Sequence, residues 1–147
     1  MKQAVIKWTD GLKFVGTANS NHSVVMDAPA ASGGNDSAVR PSELVLMGLA
    51  GCTGIDVVSM LKKMRVAFDS FEVGVEAETA DEHPKFYTRI NVEYRIRGHN
   101  IPEDKLQRAI DLSRNTYCSV GAQLKASAQI EYHYRIIESE PALTVEN

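Results

Sequence analysis

The segment Leu44-Val-Leu-Met-Gly-Leu-Ala-Gly-Cys-Thr-Gly-Ile55 carries no charge and sits between clear helix signals. Pro41 precedes it as a natural first helical residue, and Glu43 falls in the first turn. Lys62, Lys63 and Arg65 gather at the far end. Such start and stop signals match the helix dipole. A helix is therefore predicted over residues 42–65, roughly 35 Å long at about 1.5 Å per residue. Apolar all round between residues 44 and 55, it must be covered all round. Gly48, Gly51 and Gly54 recur at every third position, and each costs about 1 kcal/mol relative to Ala in a helix. Close approach of another helix is the simplest compensation. One copy of the chain has too little sheet to cover such a helix. A dimer that packs two of these helices side by side between two sheets resolves the deficit.

The remaining residues read mostly as strand. Residues 3–8, 12–18 and 23–27 alternate apolar and polar side chains, separated by Thr9-Asp-Gly11 and Asn19-Ser-Asn21. This predicts a meander. Residues 28–39, with Pro29, Ser32, Gly33, Gly34, Asn35 and Asp36, read as a flexible connection. Phe71, Val73, Val75 and Ala77 alternate with Glu72, Glu76 and Glu78, a strand with one wet face. After a turn at residues 81–84, residues 87–97 read as a strand with Ile90, Val92, Tyr94 and Ile96 inward. Pro102 and Glu103 open a helix to residue 113, with Leu106, Ala109 and Ile110 inside. A short helix over 119–127 and a strand through Ile130, Tyr132, Tyr134 and Ile136 follow. The tail from Glu138 reads as frayed. This order is α+β, in one domain over residues 1–147.

Composition narrows the function classes. Hydrophobic residues make up 44% and charged residues 24%, an ordinary balance for a globular protein. Sixteen basic against 19 acidic residues leave a formal charge of −3, with no basic stripe for nucleic acid. The N-terminus lacks the apolar stretch of a secretory signal. The apolar run is about half of the ~20 residues needed to span a bilayer. No membrane partner and a cytoplasmic location are expected. In a reducing compartment, two cysteines are more often reactive, metal-bound or merely buried than a permanent staple.

Cys118 lies at a predicted helix start, where the dipole and free N–H groups favour a thiolate. Cys52 lies in apolar surroundings, which raise a thiol pKa unless a cation or donor is near. Arg40 and Glu43 are the candidates for that support. Asp56, four residues after Cys52, would oppose a thiolate if it came close. Inert, core-filling thiols are the competing reading. His22, His83, His99 and His133 are scattered, and no C-x-x-C or H-x-x-x-H spacing occurs, so no metal site is expected. No phosphate-binding glycine fingerprint occurs either, and no cofactor is expected.

Pro41-Ser-Glu-Leu-Val-Leu-Met-Gly-Leu-Ala-Gly-Cys-Thr-Gly54, followed by Tyr117-Cys-Ser-Val120, resembles the OsmC/Ohr family of thiol-dependent peroxidases. The meander ending in Val25-Met-Asp27, the Gly/Pro connection and the later strands also fit, so the similarity spans nearly the whole chain. The resemblance implies an OsmC-like fold with two antiparallel sheets wrapped around two central helices in an intertwined homodimer. It implies that Cys52 attacks an organic hydroperoxide, that Cys118 resolves the product to a disulfide, and that an external dithiol, lipoyl or thioredoxin-like, restores both. Such proteins serve oxidative or osmotic stress responses. The chain departs from the well-studied branches in two places. Ser42 stands where they carry glutamate, with Glu43 rotated by about 100°, and residues 1–39 hold no arginine, leaving Arg40 as the nearest substitute. In this it resembles a YhfA-like branch. A non-peroxidatic binding protein for small molecules or thiol adducts on the same scaffold is the alternative reading.

Overall fold

Alternation in the first residues becomes an antiparallel meander, β1 (Ala4–Asp10), β2 (Lys13–Ala18) and β3 (Ser23–Met26), in that order across the sheet. Trp8 pairs with Phe14, and Gly16 is flanked by Ile6 and Val24. The computed structural model describes residues 1–140, in two compact units, Met1–Leu46 and the chain from Met47 on. In the first unit Val5, Ile6, Val25 and Trp8 stay exposed, Trp8 at 64%. A sheet with so much apolar surface in water is unfinished.

The connection after β3 is not flexible, as its composition implied, but folded around one carboxylate. Asp27, only 2% exposed, accepts from the N–H groups of Ala28 at 2.8 Å, Ser37 at 3.1 Å and Asn35 at 3.3 Å, and from the Ser37 hydroxyl at 2.7 Å. The Ser37 hydroxyl, its N–H and the other two N–H bonds hold the carboxyl at about 2, against the opposing effect of burial. A Cβ at Gly34 would lie 2.0 Å from the Ala28 carbonyl oxygen, so only glycine lets the loop close. An exposed 3-10 turn, Ala30–Ser32, lies midway along the loop.

The predicted long helix is α1 (Pro41–Lys63). The Glu43 carboxylate accepts from the Arg40 N–H at 2.9 Å, while the Leu44 N–H donates to the Arg40 carbonyl. This is the acidic half of a capping box, with Pro41 at the first helical position. At the other end Arg65 takes a left-handed φ of 56°. Its N–H bonds Lys62 O and the Val66 N–H bonds Leu61 O, the pairing of a Schellman stop.

The second unit holds β4 (Ser70–Thr79), β5 (Tyr87–Gly98), α2 (Glu103–Leu112), a π turn (Ser113–Tyr117), α3 (Ser119–Leu124) and β6 (Gln129–Glu138). The sheet order is β4-β5-β6. The α+β class is the one predicted. The second sheet is mixed rather than antiparallel, because β6 runs parallel to β5. A parallel return needs a crossover, which α2, the π turn and α3 supply. Ile90, Val92, Tyr94 and Ile96 face inward and are fully buried, with Leu106, Ala109 and Ile110 of α2. The expectation for the tail beyond residue 140 lies outside the described residues.

Burial of α1 on all sides is not found in the single chain. Leu49, Thr53, Val57 and Leu61, one residue per turn, are buried. Ile55 is 73% exposed, and Val45 and Met47 are exposed too. Beyond the chain neighbours and the helix's own backbone, no described atom lies within 4 Å of where a Cβ would stand at Gly48 or Gly51, while Gly54 packs on Val73. The helix is long and apolar enough, by length and composition, to cross a membrane. Its Thr53 and Asp56 are hydrogen-bonded within the chain.

The loop around Asp27 generates a pH prediction. Its carboxyl has a lower pKa folded than unfolded, so its contribution is fully present above about 4 and is lost as pH falls through about 2. Asp27→Asn lowers the melting temperature at neutral pH, and the gap to wild type narrows as pH falls toward 2. A constant gap across that range contradicts this account.

Candidate functional site

Cys52 and Asp56 are four residues apart on α1 and so share one face. Cys118 comes from elsewhere in the sequence. Where α2 would end, the Cys118 N–H reaches back to Ser113 O at 2.8 Å, closing the π turn of residues 113–117. Such widened turns recur at functional sites. The turn delivers the Cys118 sulfur to α1: the Cys52 Sγ, the Cys118 Sγ and an Asp56 carboxylate oxygen all lie within 4.8 Å of one another. The two sulfurs are therefore neighbours and not separate core fillers.

Cys118 caps α3. Its Sγ accepts from the Gly121 N–H at 3.3 Å, and a Cβ at Gly121 would stand 3.3 Å from that sulfur and 3.4 Å from the Tyr132 hydroxyl. The sequence reading expected this helix start to favour a thiolate. The structure reverses the sign. Burial, with Cys118 only 4% exposed, pushes the thiol up to about 11, and Cys52 and Asp56 push the same way against the single Gly121 bond. A helix of one and a half turns with one sulfur-directed N–H does not outweigh desolvation. Cys52 is half-buried.

A chain of hydroxyls fixes this geometry. Thr53 Oγ1 is 2.6 Å from the Tyr94 hydroxyl and 2.8 Å from Ser113 Oγ. Ser113 Oγ donates to Asp56 Oδ2 at 2.9 Å. Each hydroxyl has one proton. With the Ser113 proton on Asp56, Thr53 must donate to Ser113, and Tyr94 to Thr53. The network thus runs one way, Tyr94 to Thr53 to Ser113 to the carboxylate. Burial raises the Tyr94 pKa further above its ordinary value, consistent with a permanent donor. Tyr94 stacks on Tyr132 at 6.5 Å, and the Arg114 guanidinium lies 5.6 Å from the Tyr132 ring centre. Burial raises the Tyr132 pKa as well.

The four predicted site residues fall into two pairs. Cys52 and Cys118 meet. Arg40 and Glu43 engage each other at the start of α1: Arg40 Nη1 is 3.8 Å from Glu43, and Nη2 is 3.2 Å from Asp36. Arg40 Nε is buried without a hydrogen-bond partner among the described residues. Sequence reasoning assigned Tyr94 to the core and missed Thr53 and Ser113. The one available signal was a hydroxyl beside Cys52 in the otherwise apolar segment of residues 44–55. Asp56 also lines a cleft of about 470 Å³ with Met60, Lys63, Met64, Arg108 and Tyr117, an approach from solvent to the carboxylate.

Thr53→Val deletes the middle of the network and strands the Tyr94 hydroxyl. It costs about 1–3 kcal/mol in denaturant unfolding, whereas Thr53→Ser keeps most of that stability. Equal stability of the valine and serine variants contradicts the one-way network.

Comparison with known proteins places the chain in a family. A family profile described as OsmC-like protein matches residues 33–133. Protein YhfA of Escherichia coli is 37% identical over 135 residues, covering 92% of this chain and 98% of that protein. A hypothetical protein from Aquifex aeolicus superposes with a TM-score of 0.82 at 25% identity, covering 95% of this chain and 98% of the other. An organic hydroperoxide resistance protein OsmC from Legionella pneumophila has the same fold, with a TM-score of 0.67 at 11% identity over 91% of this chain and 96% of that one. The chain belongs to the OsmC-like family.

Proposed function

We propose that this chain is a thiol-based organic hydroperoxide reductase with Cys52 as peroxidatic and Cys118 as resolving cysteine. The observation that carries the proposal is the approach of the two sulfurs to within 4.8 Å. Family membership supports a stress-related, peroxidase-like role. The assignment of roles rests on asymmetry. Cys52 is half-buried, while Cys118 is buried and its thiol is pushed up to about 11. A peroxide reaches the former first, and the latter keeps its proton until its partner is oxidised.

In the first step the Cys52 thiolate attacks the terminal peroxide oxygen. An S–O bond forms, the O–O bond breaks, and the alkoxide leaves to take a proton as the alcohol. The Cys118 sulfur then attacks the sulfenic acid, forming the disulfide and releasing water. An external dithiol, lipoyl or thioredoxin-like, reduces the disulfide and is itself oxidised. Arg40, oriented by Glu43, is proposed to support the Cys52 thiolate.

A homodimer is part of the proposal, in a cytoplasmic setting. The exposed Ile55, Met47, Gly48 and Gly51 of α1 support it. So does an apolar groove of about 680 Å³ lined by Gly51, Gly54, Ile55, Val58, Phe71 and Val73. A second copy is the occupant that two smooth, glycine-bearing helix faces fit. The alternative, a non-peroxidatic small-molecule or thiol-adduct binder, is favoured by one observation: the Asp56 carboxylate beside both sulfurs, whose charge works against a Cys118 thiolate.

Turnover of cumene hydroperoxide with a lipoyl dithiol tests the enzymatic reading. Wild type is expected to consume both, Cys52→Ser to lose at least about 10³-fold, and Cys118→Ser to stop after one turnover with the sulfenic acid trapped. Arg40→Ala should move the pH profile of Cys52 alkylation to higher pH. An inactive wild type, or an active Cys52→Ser, sinks the proposal. For the dimer, Ile55→Glu is expected to halve the mass seen by light scattering or to unfold the chain in a concentration-dependent way. A monomeric wild type of unchanged stability in that variant contradicts it.

A further inference from the structure

We propose that Cys52, Asp56 and Cys118 form a binding site for a soft divalent metal ion of the zinc class, coordinated by two thiolates, one carboxylate and one exchangeable ligand. The proposal requires only that the two thiols converge, so it stands or falls independently of peroxidase activity.

The distances fit. Zinc sits about 2.3 Å from thiolate sulfur and about 2.0–2.2 Å from a carboxylate oxygen. Donors on one tetrahedral ion are therefore roughly 3.5–3.8 Å apart. The three donor atoms here lie within 4.8 Å of one another, so side-chain adjustments of about 1 Å or less bring them onto one ion. Among the described residues this is the one group of His, Cys, Asp and Glu side chains so arranged. The donor chemistry is selective as well. Two sulfurs favour zinc-class ions over magnesium or calcium.

The ligands are also held from behind. Ser113 donates to Asp56 Oδ2 at 2.9 Å and is itself anchored by Thr53 and Tyr94. The Gly121 N–H donates to the Cys118 sulfur at 3.3 Å. Outer partners of this kind orient metal ligands and stabilise their charge. Spacing does not reveal the site, because two ligands sit one helical turn apart and the third follows the π turn some sixty residues later.

Binding is balanced as one ion and two thiols giving a dithiolate complex and two protons. Affinity must therefore rise with pH. Oxidation to the Cys52–Cys118 disulfide removes both sulfur ligands, so the redox state of the pair sets metal occupancy. A bound ion, in turn, keeps both sulfurs from peroxide.

Cobalt(II) titration of the reduced full-length chain, in the absence of oxygen, tests this. Thiolate-to-cobalt charge-transfer absorption should saturate at one ion per chain, release about two protons per ion and disappear on adding zinc. Cys52→Ser and Cys118→Ser should each lose much of that absorption. Ser113→Ala, with folding checked by circular dichroism, should weaken binding about 10–100-fold. The oxidised chain should show no band. Absence of charge transfer in the reduced wild type, or a band indifferent to both serine variants, overturns the proposal. Cobalt bound by a chain that does not reduce peroxides leaves this site standing and removes only the enzymatic reading. Peroxide turnover without cobalt binding does the reverse.

Discussion

The contact on which the rest depends is the buried hydroxyl of Thr53. It joins α1 to the centre of β5 through Tyr94 and to the π turn through Ser113. Those two bonds set the rotation of the helix about its axis. That rotation puts Cys52 and Asp56 toward the π turn and Leu49, Val57 and Leu61 into the core. Burying three hydroxyls is costly unless each proton has an acceptor. The Asp56 carboxylate supplies the last one. The polar network and the thiol site are thus one construction, built from the same turns of helix.

Much of the fold was legible because its elements are strongly patterned. The wet-and-dry alternation of β4 and β5, the inner stripe of α2 and the proline-led start of α1 are local signals, and local structure followed them. The direction of β6 was not legible. Parallel and antiparallel pairing use the same alternating strand, and only the length of the crossover decides between them. The loop after β3 looked mobile because glycine and serine usually mean freedom. Here they serve one buried carboxylate, with Gly34 pressed on Ala28 and Ser37 on Asp27.

At the site, the two cysteines were visible as unusual residues in well-defined motifs. Their proximity was implied by the family resemblance and not by spacing, since nothing in sequence spacing announces a π turn. The protonation of Cys118 was misjudged for a related reason. Position at a helix start is readable from sequence, but burial is a property of the assembled fold, and desolvation is the larger effect here. Asp56 was read as an antagonist of the thiolate. That reading was conditional on its coming close; it lies beside both sulfurs, and its bond to Ser113 explains why a carboxylate is tolerated there.

The chemistry proposed for this chain needs the sulfurs to join when one of them is oxidised. The most direct measurement treats the reduced protein with one equivalent of an organic hydroperoxide and maps its peptides by mass spectrometry. The account predicts a single product, with the peptides of Cys52 and Cys118 joined and lighter by the hydrogens of one disulfide. Two free thiols after exposure, or a Cys52 oxidised on to the sulfinic acid beside an untouched Cys118, would contradict it.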